Sequence, residues 1–289
     1  MTIKYFDRIN RSSILCLIII KAKDAISVKL EVKNLSFAYP KSAPTFSNVN
    51  FDLHSGESLV ILGPNGAGKS TLLNCLVNLL TPVSGTVKIN DAEIHRMNPK
   101  EVAQEMGYVQ QQLLSVFSYS VRDYVVMGKA PYLGMFSQPR KEDYEKVDQL
   151  LEEFGLSQFA NHSYADLSGG QRQRVAIIRT LIQTPSIILL DEPTAHLDVG
   201  NQYKTVEKIK ELKKQGYAVI MTTHNPDHAL ILDDKTGILE ASGRFTFGEA
   251  KDVINEKMLN ELYQCDLSLK EVPELNHQIC VYMGGKNND

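Results

Sequence analysis

Three things are scarce in this sequence: long apolar runs, cysteine pairs and an excess of basic charge. The longest uninterrupted apolar run, Ile14 to Ile20, falls far short of the ~18–20 residues that span a bilayer as a helix. A chain that crosses a membrane by itself is therefore excluded. Cys16, Cys75, Cys265 and Cys280 are scattered without a CxxC pair. That spacing excludes a disulfide scaffold and points to reduced thiols packed in the core of a cytosolic protein. Lys and Arg number 31 against 34 Asp and Glu, a net charge of -3. Such a balance argues against a strongly basic face, and no nucleic-acid partner is expected. The 289 residues, 43% of them hydrophobic, have ordinary soluble globular composition and can bury a substantial core without disulfides or structural metal. Length fits two compact units or one large domain with a subdomain equally well.

Residues 1–27 place Lys4, Arg8 and Arg11 before the short apolar run. They resemble a secretory signal only superficially, since no small-x-small cleavage site follows directly. Regular patterning begins at Val28: Lys29 to Leu35 alternates apolar and polar residues as a half-buried strand does. Residues 1–27 are expected to be a dispensable extension, with Val28 as a candidate true start.

The strand-like run Ser58 to Leu62 leads into Gly63-Pro64-Asn65-Gly66-Ala67-Gly68-Lys69-Ser70-Thr71. This is GxxxxGK[ST] between a strand and a helical apolar pattern of Leu72, Leu73, Leu76, Val77 and Leu80. Its glycines let backbone N–H groups turn inward around phosphates, and the following helix N-terminus adds positive dipole. Lys69 is the candidate to reach the β- and γ-phosphates, and Ser70 to place its hydroxyl on Mg²⁺. The loop alone specifies a nucleoside triphosphate.

A second apolar run, Ile187 to Leu190, reads as a central parallel strand and ends in Asp191-Glu192. Carboxylates at that end of a buried strand lie where an α/β nucleotide site needs them. Asp191 would act through the Mg²⁺ shell and Glu192 would polarise the attacking water. A third run, Tyr217 to Met221, leads through Thr222-Thr223 to His224. In a parallel sheet His224 would emerge on the same side, within reach of the γ-phosphate and of the water held by Glu192.

Leu167-Ser168-Gly169-Gly170-Gln171 opens a helical pattern through Val175 and Ile178. It offers a second anion-ready helix start, with a hydroxyl and backbone N–H groups. Together these motifs resemble the ATP-binding cassette (ABC) ATPases over about residues 29–250, every motif in order. The Walker A loop is Gly63 to Thr71, the signature Leu167 to Gln171, and Walker B with its glutamate Ile187 to Glu192. The D-loop resembles Ala195-His196-Leu197-Asp198, and His224 is the switch histidine. Tyr39 resembles the aromatic that stacks on adenine, and Gln111 the Q-loop glutamine, although Gln110 and Gln112 leave that assignment open by one place.

This resemblance implies an α/β fold, a RecA-like P-loop core with an antiparallel β subdomain and a helical signature subdomain. It implies ATP and Mg²⁺ as cofactors, with Ser70, Gln111 and Asp191 around the metal. It also implies a head-to-tail homodimer in which each ATP lies between one subunit's Walker loop and the other's Ser168, Gly169 and Gly170. The domain expected is 28–250, its helical subdomain about 112–175, followed by a C-terminal helix and tail over 251–289. In the family the helical subdomain receives the coupling helix of a polytopic permease.

The wording from Tyr119 to Tyr132, Thr222 to His228 and Thr194 to Asp198 resembles importers of iron-siderophore, haem, cobalamin and metal-oxyanion substrates. Such a subunit is peripheral, on the cytoplasmic face of the cell membrane, and is fed indirectly by a substrate-binding protein. A chromosome-associated cassette would need sustained heptads between Lys69 and Leu167, which are missing. A ribosome-associated cassette would need a second phosphate loop. A soluble cluster-assembly ATPase stays open as the alternative. His196 and His228 are not expected to form a metal site, because no carboxylate or Cys cluster joins them. Beyond His224, Thr236 to Gly248 reads as a hairpin and Glu249 to Leu262 as a helix. Residues 263–289 carry no motif, and Gly284 to Asp289 reads as a frayed end.

Overall fold

A computed structural model of the protein describes residues 27–111, 119–134, 136–195, 197–275 and 277–284. Nearly all of the N-terminal extension, together with Cys16, Gln112, His196 and 285–289 of the expected frayed end, lies outside the described residues. Strands β1 (Lys29–Ala38), β2 (Pro44–His54), β4 (Ser84–Ile89) and β5 (Ala92–Glu93) form an antiparallel sheet in the order β2-β1-β4-β5. The core sheet has six strands in the order β10-β9-β3-β8-β7-β6. They are β3 (Ser58–Leu62), β6 (Met106–Val109), β7 (Ile187–Leu190), β8 (Ala218–Thr223), β9 (Lys235–Leu239) and β10 (Phe245–Glu249). All pair in parallel except the β9–β10 hairpin.

Helices α1 (Lys69–Leu76), α2 (Pro99–Glu105), α3 (Val121–Val126), α4 (Lys141–Glu153), α5 (Gly169–Leu181), α6 (Val199–Lys214) and α7 (Pro226–Leu232) surround these sheets. The runs Leu59–Leu62 of β3, Ile187–Leu190 of β7 and Ala218–Met221 of β8 are continuously apolar, as strands covered on both faces are. Successive side chains alternate between two cores. Leu59, Ile61, Ile187, Leu189 and Ile220 join the cluster under the antiparallel sheet and α1. Val60, Leu62, Ile188, Leu190 and Val219 join the cluster beneath α3 to α7.

This parallel register puts the carboxyl ends of four strands on one edge. Leu62 lies beside Thr223, Leu190 beside Met221 and Val109 beside Leu190. The phosphate loop, Asp191-Glu192, His224 and Gln111 therefore leave the sheet together, as ligand sites of parallel sheets do.

Two expectations differ in detail. The helix read over Glu249 to Leu262 is two helices, α8 (Ala250–Val253) and α9 (Glu256–Tyr263). Asn255 interrupts it by capping α9, its side chain accepting from the Met258 N–H, a geometry that requires a non-helical backbone. The stretch read as motif-free holds a third sheet, the hairpin of β11 (Leu267–Glu271) and β12 (Gln278–Tyr282). The cysteines also divide: Cys75 is core, with burial pushing its thiol up to about 12, whereas Cys265, just before that hairpin, and Cys280, within β12, are half-buried. Among the described residues no helix is long and apolar enough to cross a membrane.

Candidate functional site

The phosphate loop closes tightly because two glycines meet backbone or side chain where a Cβ would stand. A Cβ on Gly63 would lie 2.4 Å from the Leu239 carbonyl oxygen, and one on Gly68, at φ +100°, 2.5 Å from the Thr45 methyl. Gly66 also has positive φ, which costs a glycine nothing. Gly68 passes directly into α1, so Lys69, Ser70 and Thr71 occupy its first turn. Lys69 is buried, 5% exposed. Its ammonium donates to the Gly63 and Pro64 carbonyls at 2.8 and 3.0 Å, and it pairs with Glu192 Oε1 at 3.0 Å. Tyr39 stands over the loop, half-exposed, with its hydroxyl 3.2 Å from Thr71 Oγ1.

Glu192 is the centre of the constellation. Its φ of +45° is a left-handed conformation uncommon for a non-glycine residue, the kind of strain that clusters at functional sites. A hydrogen bond donated by its N–H to Thr222 Oγ1, 2.9 Å, holds the turn. Oε1 faces Lys69, whereas Oε2 accepts from Gln111 Nε2 at 3.2 Å and lies 3.4 Å from His224 Nδ1. Thus residues from three strand ends converge on a carboxylate carried by a fourth. The two described glutamines of this stretch are placed differently. Gln111 reaches Glu192, whereas Gln110 lines a groove outside the site.

Asp191 is buried, with Oδ1 accepting the Thr222 hydroxyl at 2.7 Å and Oδ2 facing the Tyr108 hydroxyl at 3.5 Å. Burial first, then the Asp191 charge and hydrogen bond, push the Tyr108 phenol up, so it stays a donor. Ser70, Gln111 and Asp191 supply hydroxyl, amide and carboxylate oxygens, a hard donor set that fits a magnesium ion.

His224 is half-exposed at the tip of the β8–α7 turn. Beneath it Thr223 Oγ1 accepts from the Asn225 N–H at 3.0 Å and meets His228 Nδ1 at 2.9 Å. His228 is buried and stays neutral, its pKa pulled to about 4 by desolvation and then by His224. Spacing could not disclose Thr222, Thr223, His228 and Tyr108 as parts of the site, because each acts through a neighbour that only the fold supplies.

The signature residues form a second group. Ser168 caps α5 in a reciprocal box with Gln171, accepting its N–H at 3.3 Å while Gln171 Oε1 accepts the Ser168 N–H at 2.8 Å. Asp198 caps α6, and the hydrogen bonds from Asn201, backbone first, hold its carboxyl below the usual range. Gly170 lies against Leu197, 3.4 Å from a Cβ built on it, so signature and D-loop are neighbours. Among the described residues no hydrogen bond or ion pair joins this group to Lys69 or Glu192.

The fold and site define a P-loop ATPase with a phosphate loop, an acidic strand end and a histidine on one sheet edge. A family model described as ABC transporter matches residues 46–195. The chain is 36% identical over 235 residues to the molybdate import ATP-binding protein MolC of Haemophilus influenzae, covering 81% of this chain and 87% of that one. It is 30% identical over 256 residues to the petrobactin import ATP-binding protein FpuD of Bacillus anthracis, covering 88% and 93%. An ABC transporter assigned to the metal-chelate type and solved in an inward-facing conformation is similar at 33% identity and a TM-score of 0.78, over 89% of this chain and 98% of that one. The chain belongs to the ABC transporter family and is one of its ATP-hydrolysing, ATP-binding subunits.

Proposed function

We propose that this subunit powers import of a metal chelate or metal oxyanion, with ATP bound at the Gly63–Thr71 loop and hydrolysed through Glu192. The convergence of Lys69, Gln111 and His224 on Glu192 carries the reading. Lys69 exchanges its pairing with Glu192 for the β- and γ-phosphates of ATP. Glu192, freed at Oε1, takes a proton from the attacking water, and His224 orients that water against the γ-phosphate. Tyr39 stacks on the adenine. Ser70, Gln111 and Asp191 would hold Mg²⁺, which would supply charge neutralisation at the phosphate oxygens. Thr222 fixes Asp191 and Glu192 relative to each other through its single hydroxyl.

Ser168, Gly169, Gly170, Gln171 and Asp198 sit apart from Lys69 on exposed helix starts. Their placement supports a head-to-tail homodimer in which they close over the partner subunit's ATP. A groove of about 490 Å³ between α5 and the core, lined by Gln110, Tyr124, Met127, Pro131 and Arg179, supports a polytopic permease as membrane partner. Gln110 in the groove and Gln111 at Glu192 are consecutive, so permease movement reaches the carboxylate through one peptide unit. The subunit is peripheral on the cytoplasmic face, and a substrate-binding protein delivers cargo to the permease. The relatives' import of molybdate and petrobactin supports this cargo class.

The test is affinity purification of tagged Glu192→Gln with ATP from detergent extracts. A polytopic permease in equal ratio is expected. Recovery of soluble partners alone would replace transport with a soluble assembly role.

A further inference from the structure

The C-terminal hairpin lies outside the matched family region, residues 46–195, yet it is tied into the turn that carries His224. A two-stranded hairpin is marginal by itself and must be held by neighbours. Both outer edges of β11–β12 are held by side chains. On β11, the Leu267 N–H donates to Asn260 Oδ1 at 2.6 Å and the Leu269 N–H to Glu256 Oε1 at 2.8 Å, both acceptors on α9. On β12, the Cys280 N–H donates to Asp227 Oδ1 at 2.7 Å. Asp227 is the second residue of α7, three positions after His224, and its own N–H donates to Asn225 Oδ1 at 3.0 Å. The hairpin is thus a bridge from α9 to the β8–α7 turn.

The end of α9 packs together with the hairpin against the cluster beneath α3 to α7. The Tyr263 hydroxyl at its end is buried with no hydrogen-bond partner among the described residues. Burial chiefly, with the charges of Cys280, Cys265 and Glu192, pushes that phenol up.

We propose that the β11–β12 hairpin is a strut for the switch histidine, with Asp227 as a positioning residue that fixes His224 through the Cys280 N–H···Oδ1 bond. This rests on the catalytic reading of Glu192 and His224. Asp227 touches neither phosphate loop nor Glu192 in any hydrogen bond among the described residues, so its loss acts on turnover rather than on ATP binding.

The test compares steady-state ATP hydrolysis by the full chain as Asp227→Ala, Asp227→Asn and Cys280→Pro, with Glu192→Gln and His224→Ala alongside. Cys280→Pro deletes the donor from the opposite end. Its N–H faces away from β11, where proline is tolerated, so the question stays answerable if Asp227→Ala does not fold. Expected are a tenfold fall in kcat for Asp227→Ala and Cys280→Pro with KM for ATP unchanged, and recovery of most of the rate in Asp227→Asn, which keeps the accepting oxygen. Asp227→Ala combined with Cys280→Pro should lose no more than either alone. A parental kcat in Asp227→Ala or Cys280→Pro, or an equal loss in Asp227→Asn, would overturn the strut while leaving the catalytic reading intact. A parental rate in His224→Ala would overturn that reading itself.

Discussion

At the scale of single residues, Glu192 competes with the phosphates of ATP for Lys69 in the proposed mechanism. Replacing Glu192 by Gln removes the charge that holds Lys69 at 3.0 Å but keeps the shape. Hydrolysis should fall about 10²–10⁴-fold, the contribution of a positioned general base. ATP affinity should rise about fivefold, because the ammonium no longer leaves a buried partner. Phosphate release and calorimetric titration measure the two, and a parental hydrolysis rate would remove Glu192 from the mechanism. His228 makes a different prediction. Its pKa is lowered from 6.5 to about 4 in the fold, so between those values the unfolded chain binds a proton that the native state does not. Its neutral form is therefore compatible with full stability above pH 6.5, and stability declines toward pH 4 by up to about 3 kcal/mol. Thermal melts at pH 7.5 and pH 5 should show a pH-dependent drop several degrees smaller in His228→Gln than in the parent. Equal drops would show that another group controls the window.

At the scale of elements, the phosphate loop depends on how closely it approaches β9. Because a Cβ on Gly63 would meet the Leu239 carbonyl oxygen at 2.4 Å, Gly63→Ala must displace the loop or the strand end. At least a tenfold loss of ATP affinity with an intact far-ultraviolet spectrum is expected, and an unchanged affinity would mean that the loop yields without cost. On α5, Ser168 has two tasks, capping now and closing over a partner's nucleotide in the proposed dimer. Ser168→Ala should cost about 1 kcal/mol of stability through the cap alone, read as a shift in the denaturant midpoint. No shift would show that water replaces the hydroxyl. The hairpin β11–β12 teaches the limit of pattern reading at this scale. Its strands are short and only partly buried, and their outer N–H groups find side-chain acceptors 7 and 13 positions away on α9 and 53 positions away on α7.

At the scale of the whole molecule, the groove beside α5 sets the proposed permease docking face apart from the chemistry. Arg179 stacks over Tyr124 at 4.8 Å and donates to its hydroxyl at 3.2 Å, giving one wall a rigid, cationic surface. Met127→Glu should place a carboxylate on this docking face and abolish copurification of the permease, while ATP affinity of the separate subunit stays within twofold of parental. Copurification at the parental level would exclude this groove as the docking face.

The phosphate loop, the signature, the acidic strand end and the histidine were legible in sequence because each is a local device. Glycine spacing, a strand ending in carboxylates and a helix cap act through residues adjacent in the chain. The tertiary structure decided what these devices do to one another. Parallel register brought Gln111, Glu192 and His224 to one edge, distinguished Gln111 from Gln110, and made Thr222 a link between two carboxylates. Such contacts join residues tens of positions apart, and only the folded backbone sets the distance at which a charge or a hydrogen bond acts.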